Sequence, residues 1–194
     1  MVQREQLRNK VFLGMLFLFM FACREKEQIF LRDVNESNST HWYSGGLLYL
    51  DSIPFSGSLF LLYPNTNDTF SLKKFSKGKE HGHWQQFYED GSVKSSRYYY
   101  YGQKTGYYKA WWQNGSKQLE YHFINDLYHG TCVEWNPEGN LVKEMNYVEG
   151  HEEGSQKVWY DNGKIKSNYI IKNGRRYGLL GTKNCSNVSD SILP

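Results

Sequence analysis

Glycine recurs on a 24-residue period through the middle of this chain, and this period constrains the fold more than any other feature. Two glycine series and a shorter third share one register. Their members are Gly82, Gly106, Gly130, Gly154 and Gly178; Gly91, Gly115, Gly139 and Gly163; and Gly102, Gly150 and Gly174, with Asp126 in the gap of the third series. Internal repetition at this period indicates an array of supersecondary units that cannot bury their apolar faces alone.

Each repeat reads as a β-hairpin. The unit "GTCVEWNPEGNLVKEMNYVEGHEE" contains two short runs of aromatic and β-branched residues, separated by turn residues. An earlier unit of 25 residues begins at Gly57, and a partial unit begins at Gly178. The sequence therefore predicts an all-β fold, an antiparallel β-hairpin repeat array over residues 57–181 that forms a meander or solenoid.

Pro137 falls in the turn of one of these hairpins. Pro favours the second position of a type I turn, and a glycine two residues later suits the left-handed residue of a G1 bulge. A three-residue loop, Pro137-Glu138-Gly139, places Trp135 opposite Leu141. We expect Gly139 to have a positive φ.

Strand alternation then predicts which side chains share a face. Trp135 is expected on one face with Leu141, Met145 and Tyr147, and Trp111 and Trp159 in the equivalent places of their own repeats. This aromatic face is predicted to form the core of the coiled sheet.

The opposite face carries its own aromatic series. Tyr88, Trp112 and Tyr160 recur at one position of the lattice, next to the residues assigned to the core. Exposed aromatic side chains are frequent in binding surfaces. We therefore expect these three residues to form a possible binding ladder, unless the coiled sheet buries both faces.

The N-terminus carries a predicted export signal. A basic segment precedes "VFLGMLFLFMFA", which rises only about 18 Å as a helix, against a bilayer core of about 30 Å. The "MFAC" that ends it resembles a bacterial lipoprotein signal, with Cys23 as the lipid attachment site. A cleaved, secreted chain and an uncleaved anchor are the alternatives. The predicted divisions are a signal peptide (1–22), a lipid-anchored segment with the strands that lead into the array (23–56), the repeats (57–181) and a tail (182–194).

Charge and cysteine content add little chemistry. Removing residues 1–22 takes three of the 23 basic and one of the 20 acidic side chains, which lowers the net charge from +3 to +1. This balance gives no reason to expect nucleic-acid binding. Cys132 and Cys185 remain, and they are open to pairing in an exported compartment. Cys132 replaces an aromatic residue of other repeats, so we expect it to be a small packing residue.

The pattern of "VWYDNGKIKSNYIIKNGRRYG" resembles the MORN repeat variant of many bacterial proteins. The resemblance covers roughly Gly57 to Gly181 and rests on the turn glycines, the Trp-Tyr pair and the spacing. Such proteins are often labelled YwqK-family antitoxins, which would imply neutralisation of a toxin protein. Eukaryotic MORN repeats are associated with membrane or protein scaffolding.

No catalytic or metal-binding motif accompanies the repeats. Nucleotide-binding and hydrolase signatures are missing from the sequence, and its histidines and hairpin-loop acids fit turn chemistry. The sequence predicts a non-enzymatic, lipid-anchored interaction module without cofactor or metal, exported to a bacterial cell envelope. Its expected partner is an unknown protein or envelope component, and the alternative is a toxin-neutralising protein.

Overall fold

The computed structural model describes residues 32–181, and strands dominate this range. The strands are β1 (Arg32–Asn35), β2 (His41–Ser44), β3 (Leu47–Leu50), β4 (Ile53–Pro54), β5 (Gly57–Leu62), β6 (Thr69–Ser76), β7 (Lys79–Glu80), β8 (Gly82–Phe87), β9 (Val93–Tyr100), β10 (Gln103–Trp111), β11 (Lys117–Ile124), β12 (Leu127–Tyr128), β13 (Gly130–Trp135), β14 (Leu141–Val148), β15 (His151–Trp159), β16 (Ile165–Lys172) and β17 (Arg175–Leu179). One short 3-10 helix, Glu36–Asn38, follows β1. No helix in residues 32–181 has both the length and the apolar character needed to cross a bilayer.

The strands form one long meander, which confirms the predicted all-β repeat array. From β5 onward the main strands pair antiparallel in chain order as far as β17, while the short strands β7 and β12 pair back onto β6 and β11. β1 pairs in parallel with β5, the strand that begins the meander. β2, β3 and β4 form a separate three-stranded sheet.

The hairpin at Pro137 has the predicted turn. The amide of Gly139 donates to the carbonyl of Asn136 at 2.9 Å, and the amide of Asn136 donates to the carbonyl of Asn140 at 3.0 Å. Gly139 has a φ of +83°, which a glycine adopts without steric cost. Trp135 lies opposite Leu141. The sequence-based register of this turn is therefore confirmed.

The predicted assignment of faces is wrong, because a second irregularity follows the turn. Cys132 pairs with Met145, but the ladder then skips Val142 before Trp135 pairs with Leu141. This β-bulge interrupts the alternation that linked Leu141 to Met145. Within β13, Cys132 and Trp135 are three residues apart and point to opposite sides. Trp135 therefore shares a side with Leu141 but not with the buried Met145.

The same bulge occurs in every hairpin of the array. Register shifts stand beside Leu62, Phe87, Trp111, Trp135 and Trp159. The skipped residues are Phe70, Lys94, Gln118, Val142 and Lys166. The tryptophans expected in the core therefore lie on the side that we call the outer face, and the side of Cys132 and Met145 is the core face.

The core face is buried by two clusters. At the start of the array, Leu48 and Leu50 of β3 and Phe55 pack against Leu59 and Phe75. The small three-stranded sheet thus covers the first hairpin. Near the end of the array, Met145, Tyr169 and Ile171 form the second cluster, and Tyr147 and Val158 pack beside it.

Backbone hydrogen bonds also join successive repeats at the end of the hairpins opposite Pro137. In four successive repeats, one amide donates to a carbonyl of the segment that precedes the repeat. The bonds run from Gly78 to Phe55, Gly102 to Glu80, Asp126 to Lys104 and Gly150 to Tyr128, at 2.7–2.9 Å. The lattice glycines therefore sit where the backbones of neighbouring repeats meet.

The predicted signal peptide (1–22), the attachment site Cys23, the tail (182–194) and Cys185 lie outside the described residues. The structure therefore leaves the anchor and the pairing of Cys132 with Cys185 as predictions. The described part of the segment 23–56 contains β1 to β4.

Candidate functional site

Aromatic side chains at the loop end of the hairpins link three successive repeats to the repeat that follows each of them. Tyr63, Tyr88 and Trp112 occupy the same place in successive units. The Tyr63 hydroxyl donates to the carbonyl of Phe87 at 2.8 Å, and the Tyr88 hydroxyl donates to the carbonyl of Trp111 at 2.9 Å. These bonds satisfy carbonyl groups at the strand ends, where the ladder has stopped.

Trp112 continues this series with its indole nitrogen. Its Nε1 donates to the carbonyl of Trp135 at 3.0 Å. Trp112 follows buried Ala110 by two residues, so strand alternation places it on the core face. In the next repeat, Asn136 stands at this position and accepts the amide of Asn140 through its own side chain at 2.8 Å.

Two of the three residues predicted to form a binding ladder therefore help to join neighbouring hairpins. Tyr88 and Trp112 are partly buried, and each donates a hydrogen bond to the following hairpin, whereas Tyr160 is 40% exposed. Binding of a partner by these three residues stays a prediction. All nine glycines predicted as turn residues, from the Gly82 and Gly91 series, have positive φ.

The acidic and amide residues of the hairpin loops serve the turns. Asp90 accepts both the amide and the hydroxyl of Ser92, and these bonds lower the pKa of Asp90 below its usual value. Asn114 accepts the same two groups of Ser116 and also donates to the carbonyl of Pro137 at 2.8 Å. The loops thus have the turn chemistry expected from their sequence.

The outer face brings histidines and tyrosines together. The rings of His83 and Tyr98 lie 5.0 Å apart, and those of Tyr107 and His122 lie 4.9 Å apart. Within residues 32–181, no group of three or more His, Cys, Asp or Glu side chains is arranged to hold a metal ion. His83 and His122 lie within β8 and β11 and contact aromatic rings, so the expectation of turn histidines is wrong for these two residues.

A row of exposed apolar side chains crosses the outer face. Tyr100, Ile124 and Val148 end three successive strands of the same type, and they are 56%, 43% and 50% exposed. We call these three residues the outer row. Exposed Tyr101 and Leu127 lie beside it in the adjoining turns and strands. Successive members are two strands apart, about 10 Å, so the outer row extends over about 20 Å.

An ion-pair network lies on the outer face of the repeat that begins at Gly106. Glu120 accepts from Lys117 at 3.2 Å and pairs with Lys109 at 3.4 Å. Partial burial opposes the charge of Glu120, but the two lysines lower its pKa below its usual value. The Lys117 ammonium also lies 5.4 Å from the ring of Trp135 in the next hairpin. This cation–π contact covers part of the Trp135 ring.

Cys132 is buried on the core face. It is 2% exposed, and burial raises the pKa of its thiol. A buried thiol with a raised pKa is a poor nucleophile. Beside it, the Tyr121 hydroxyl donates to Glu134, which also pairs with Lys143 at 2.8 Å. The structure thus places Cys132 as the small packing residue that its lattice position suggested.

The sequence-based reasoning missed the outer row. Its members are spaced by 24 residues, and Ser76 and Lys172 occupy the same position in the first and last complete hairpins. An apolar residue at a position that tolerates serine and lysine is the signal that could have revealed exposure.

One comparison with known proteins gives a match, and that match follows the 24-residue period. A search of curated proteins gave no match for this chain. Three segments of the chain match a family model, and they start at residues 80, 128 and 152. These positions share the 24-residue register, and one repeat between the first two segments is not matched. Residues 80–99, 128–149 and 152–173 match the family model described as the MORN repeat variant.

Proposed function

We propose that this protein is a non-enzymatic interaction module that binds a protein or envelope partner through the outer row. The observation that carries this proposal is the exposure of Tyr100, Ile124 and Val148 along one line of the sheet. Monomeric proteins rarely leave extended apolar patches open to water unless the patch binds something. Tyrosine is also enriched among the residues that dominate protein interfaces.

Substitution at the outer row tests this proposal without threatening the fold. Since Ser76 and Lys172 already occupy the equivalent positions, serine at 100, 124 and 148 should leave the melting temperature close to that of the wild type. A photo-crosslinking residue at position 124 should capture one defined partner, and serine at 100 and 148 should abolish the capture. A crosslinker at the exposed loop residue Glu138 is the matched control. Equal capture from positions 124 and 138 would contradict the proposal.

We also propose that Cys23 anchors the module to a membrane of a bacterial envelope. The support is the basic segment, the short apolar run and the "MFAC" that ends it. Metabolic labelling with palmitate should mark the wild-type chain and leave Cys23→Ser unmarked. Equal labelling of the two chains would exclude this attachment site.

The alternative function, neutralisation of a toxin protein, rests on the family resemblance. The identity of the crosslinked partner separates the two. Capture of a toxin protein, whose expression cells survive only when the outer row is intact, would favour the neutralising function. Capture of an envelope component would favour the scaffold function.

A further inference from the structure

The core face holds a cavity of about 200 Å³ near the start of the array. Two rows of paired residues on β6, β8 and β9 form it. In the first row, Gln86 lies between Ser71 and Ser95; in the second row, Trp84 lies beside Arg97. The lining residues are Ser71, Lys73, Trp84, Gln85, Gln86, Ser95, Arg97 and Tyr99. We call this space the Arg97 cavity.

Ser71 is the unusual member of this lining. It is only 2% exposed, and its hydroxyl has no hydrogen-bond partner among the described residues. A buried hydroxyl without a partner destabilises a folded protein, so such groups are rare. Its neighbour Ser95 by contrast donates to Gln86 at 3.3 Å. The Ser71 hydroxyl is therefore a buried donor in the wall of the cavity that has no partner among the described residues.

Arg97 supplies an unbalanced positive charge. Its guanidinium lies 4.1 Å from the ring of Tyr108, and within residues 32–181 it forms no ion pair with a carboxylate. Lys73, the other cation of the lining, is already paired with Glu36 at 3.0 Å. When Glu36 is counted with the lining residues, it cancels the charge of Lys73, and the charge that remains is that of the Arg97 guanidinium.

We infer that the Arg97 cavity binds a carboxylate group. One guanidinium without a carboxylate partner balances one carboxylate, and the N–H groups that Tyr99 and Tyr108 do not use can donate to that group. Ser71 supplies a further donor. A second cavity of about 290 Å³ shares Arg97, and its lining combines the rings of Tyr108, Phe123 and Tyr128 with the charged side chains of Lys104 and Asp126.

This site lies on the core face and the outer row lies on the opposite face, so failure of one proposal does not affect the other. Its probes are two blocked tripeptides, acetyl-Gly-Glu-Gly-amide and acetyl-Gly-Gln-Gly-amide, the free acid acetyl-Gly-Gly-Gly and inorganic phosphate. Binding to the full-length chain is followed by the NMR signal of the Trp84 indole, whose Nε1 donates to the carbonyl of Lys74 at 2.9 Å beside the cavity. We expect saturable shifts with a carboxylate peptide and none with the glutamine peptide. The glutamate peptide and the free acid separate a side-chain source from a chain terminus.

Two variants assign the binding to the proposed groups. Arg97→Gln should remove the saturable shift, and Ser71→Ala should weaken binding about tenfold, because a hydrogen bond to a charged group is lost. Lys117→Gln removes a cation from the outer face and should bind as the wild type does. Shifts that survive Arg97→Gln, or tighter binding of phosphate than of any carboxylate, would overturn the inference.

Melting temperature provides a readout that a purely structural role for Ser71 would not give. Ser71→Ala removes an unsatisfied buried hydroxyl, so without ligand it should melt at or above the wild-type temperature. A folded, stabilised Ser71→Ala chain with weakened carboxylate binding is the expected combination. A destabilised Ser71→Ala chain would show that the hydroxyl is used by the fold, and would contradict its assignment to a ligand.

Discussion

At the scale of single residues, adjacent tryptophans have different roles in this array. Trp112 follows the core-face alternation and donates its indole proton to the carbonyl of Trp135. Trp111 precedes it on the outer face, where it pairs with Lys117. A one-residue difference along a strand exchanges the two faces, so neighbouring residues of the same type can differ in their contribution to stability.

We predict that Trp112→Ala destabilises the fold more than Trp135→Ala does. The first change removes a partly buried ring and leaves the Trp135 carbonyl without its donor, at a cost of about 3 kcal/mol. The second removes a ring on the outer face, at a cost of about 1–2 kcal/mol. Urea unfolding of both variants measures the difference. A larger loss for Trp135→Ala would mean that the outer tryptophans carry the core after all.

Tyr121 gives the stability a dependence on alkaline pH. Burial, and then the hydrogen bond to Glu134, raise the pKa of Tyr121 above its usual value. The folded chain therefore holds the phenol proton more tightly, so this stabilisation is complete below about pH 10 and is lost as pH rises toward the folded-state pKa. We expect the urea midpoint to fall less between about pH 9 and pH 11 in Tyr121→Phe than in the wild type. Parallel pH profiles for the two chains would argue against this role.

At the scale of elements, a glycine at one lattice position meets different surroundings in different repeats. Gly78 and Gly102 are 24 residues apart, have φ of +78° and +90°, and donate equivalent backbone hydrogen bonds to the preceding repeat. A Cβ at Gly78 would lie 2.9 Å from the carbonyl oxygen of Leu48, while a Cβ at Gly102 would meet nothing nearer than 3.7 Å. Only Gly78 is pressed against the three-stranded sheet.

This pair gives a matched test of how that sheet is held. Both alanine variants incur the left-handed backbone penalty of about 1–2 kcal/mol. We expect Gly78→Ala to lose more than this, because it must displace β3 from the first hairpin. The excess over Gly102→Ala, measured by urea unfolding, isolates the packing of the small sheet. Equal losses would mean that β3 moves aside without cost.

At the scale of the whole array, several successive repeats contact their neighbours through equivalent groups. Tyr88 reaches the carbonyl of Trp111 as Trp112 reaches that of Trp135, and Gly102 reaches Glu80 as Gly150 reaches Tyr128. In a repeat protein of this kind, stability is close to a sum of units and the contacts between them. One repeat should therefore be removable in register.

We predict that deletion of residues 106–129 leaves a folded array. The 24-residue deletion brings Tyr88 opposite the carbonyl of Trp135 and Gly150 opposite that of Lys104, so equivalent bonds can form again. Its unfolding should stay cooperative, with a lower m value because less surface is exposed. Deletion of residues 106–117 is the control, since it removes half a hairpin, breaks the register between the flanking repeats and should make unfolding less cooperative than in the 24-residue deletion. Loss of structure in both would show that the array tolerates no missing unit.

The period of 24 residues by itself determined the hairpin array, because glycine at each turn and the alternating aromatic runs are local properties of the chain. The turn at Pro137 and the pairing of Trp135 with Leu141 followed for the same reason. Only the tertiary structure decided which face is buried. Val142 and its equivalents are skipped in the ladder, and a bulge of one residue reverses the sides without leaving a signature in composition. Contacts between distant strands likewise decided that Ser71 and Arg97 line one cavity, since residues so separated in sequence meet only once the sheet has formed.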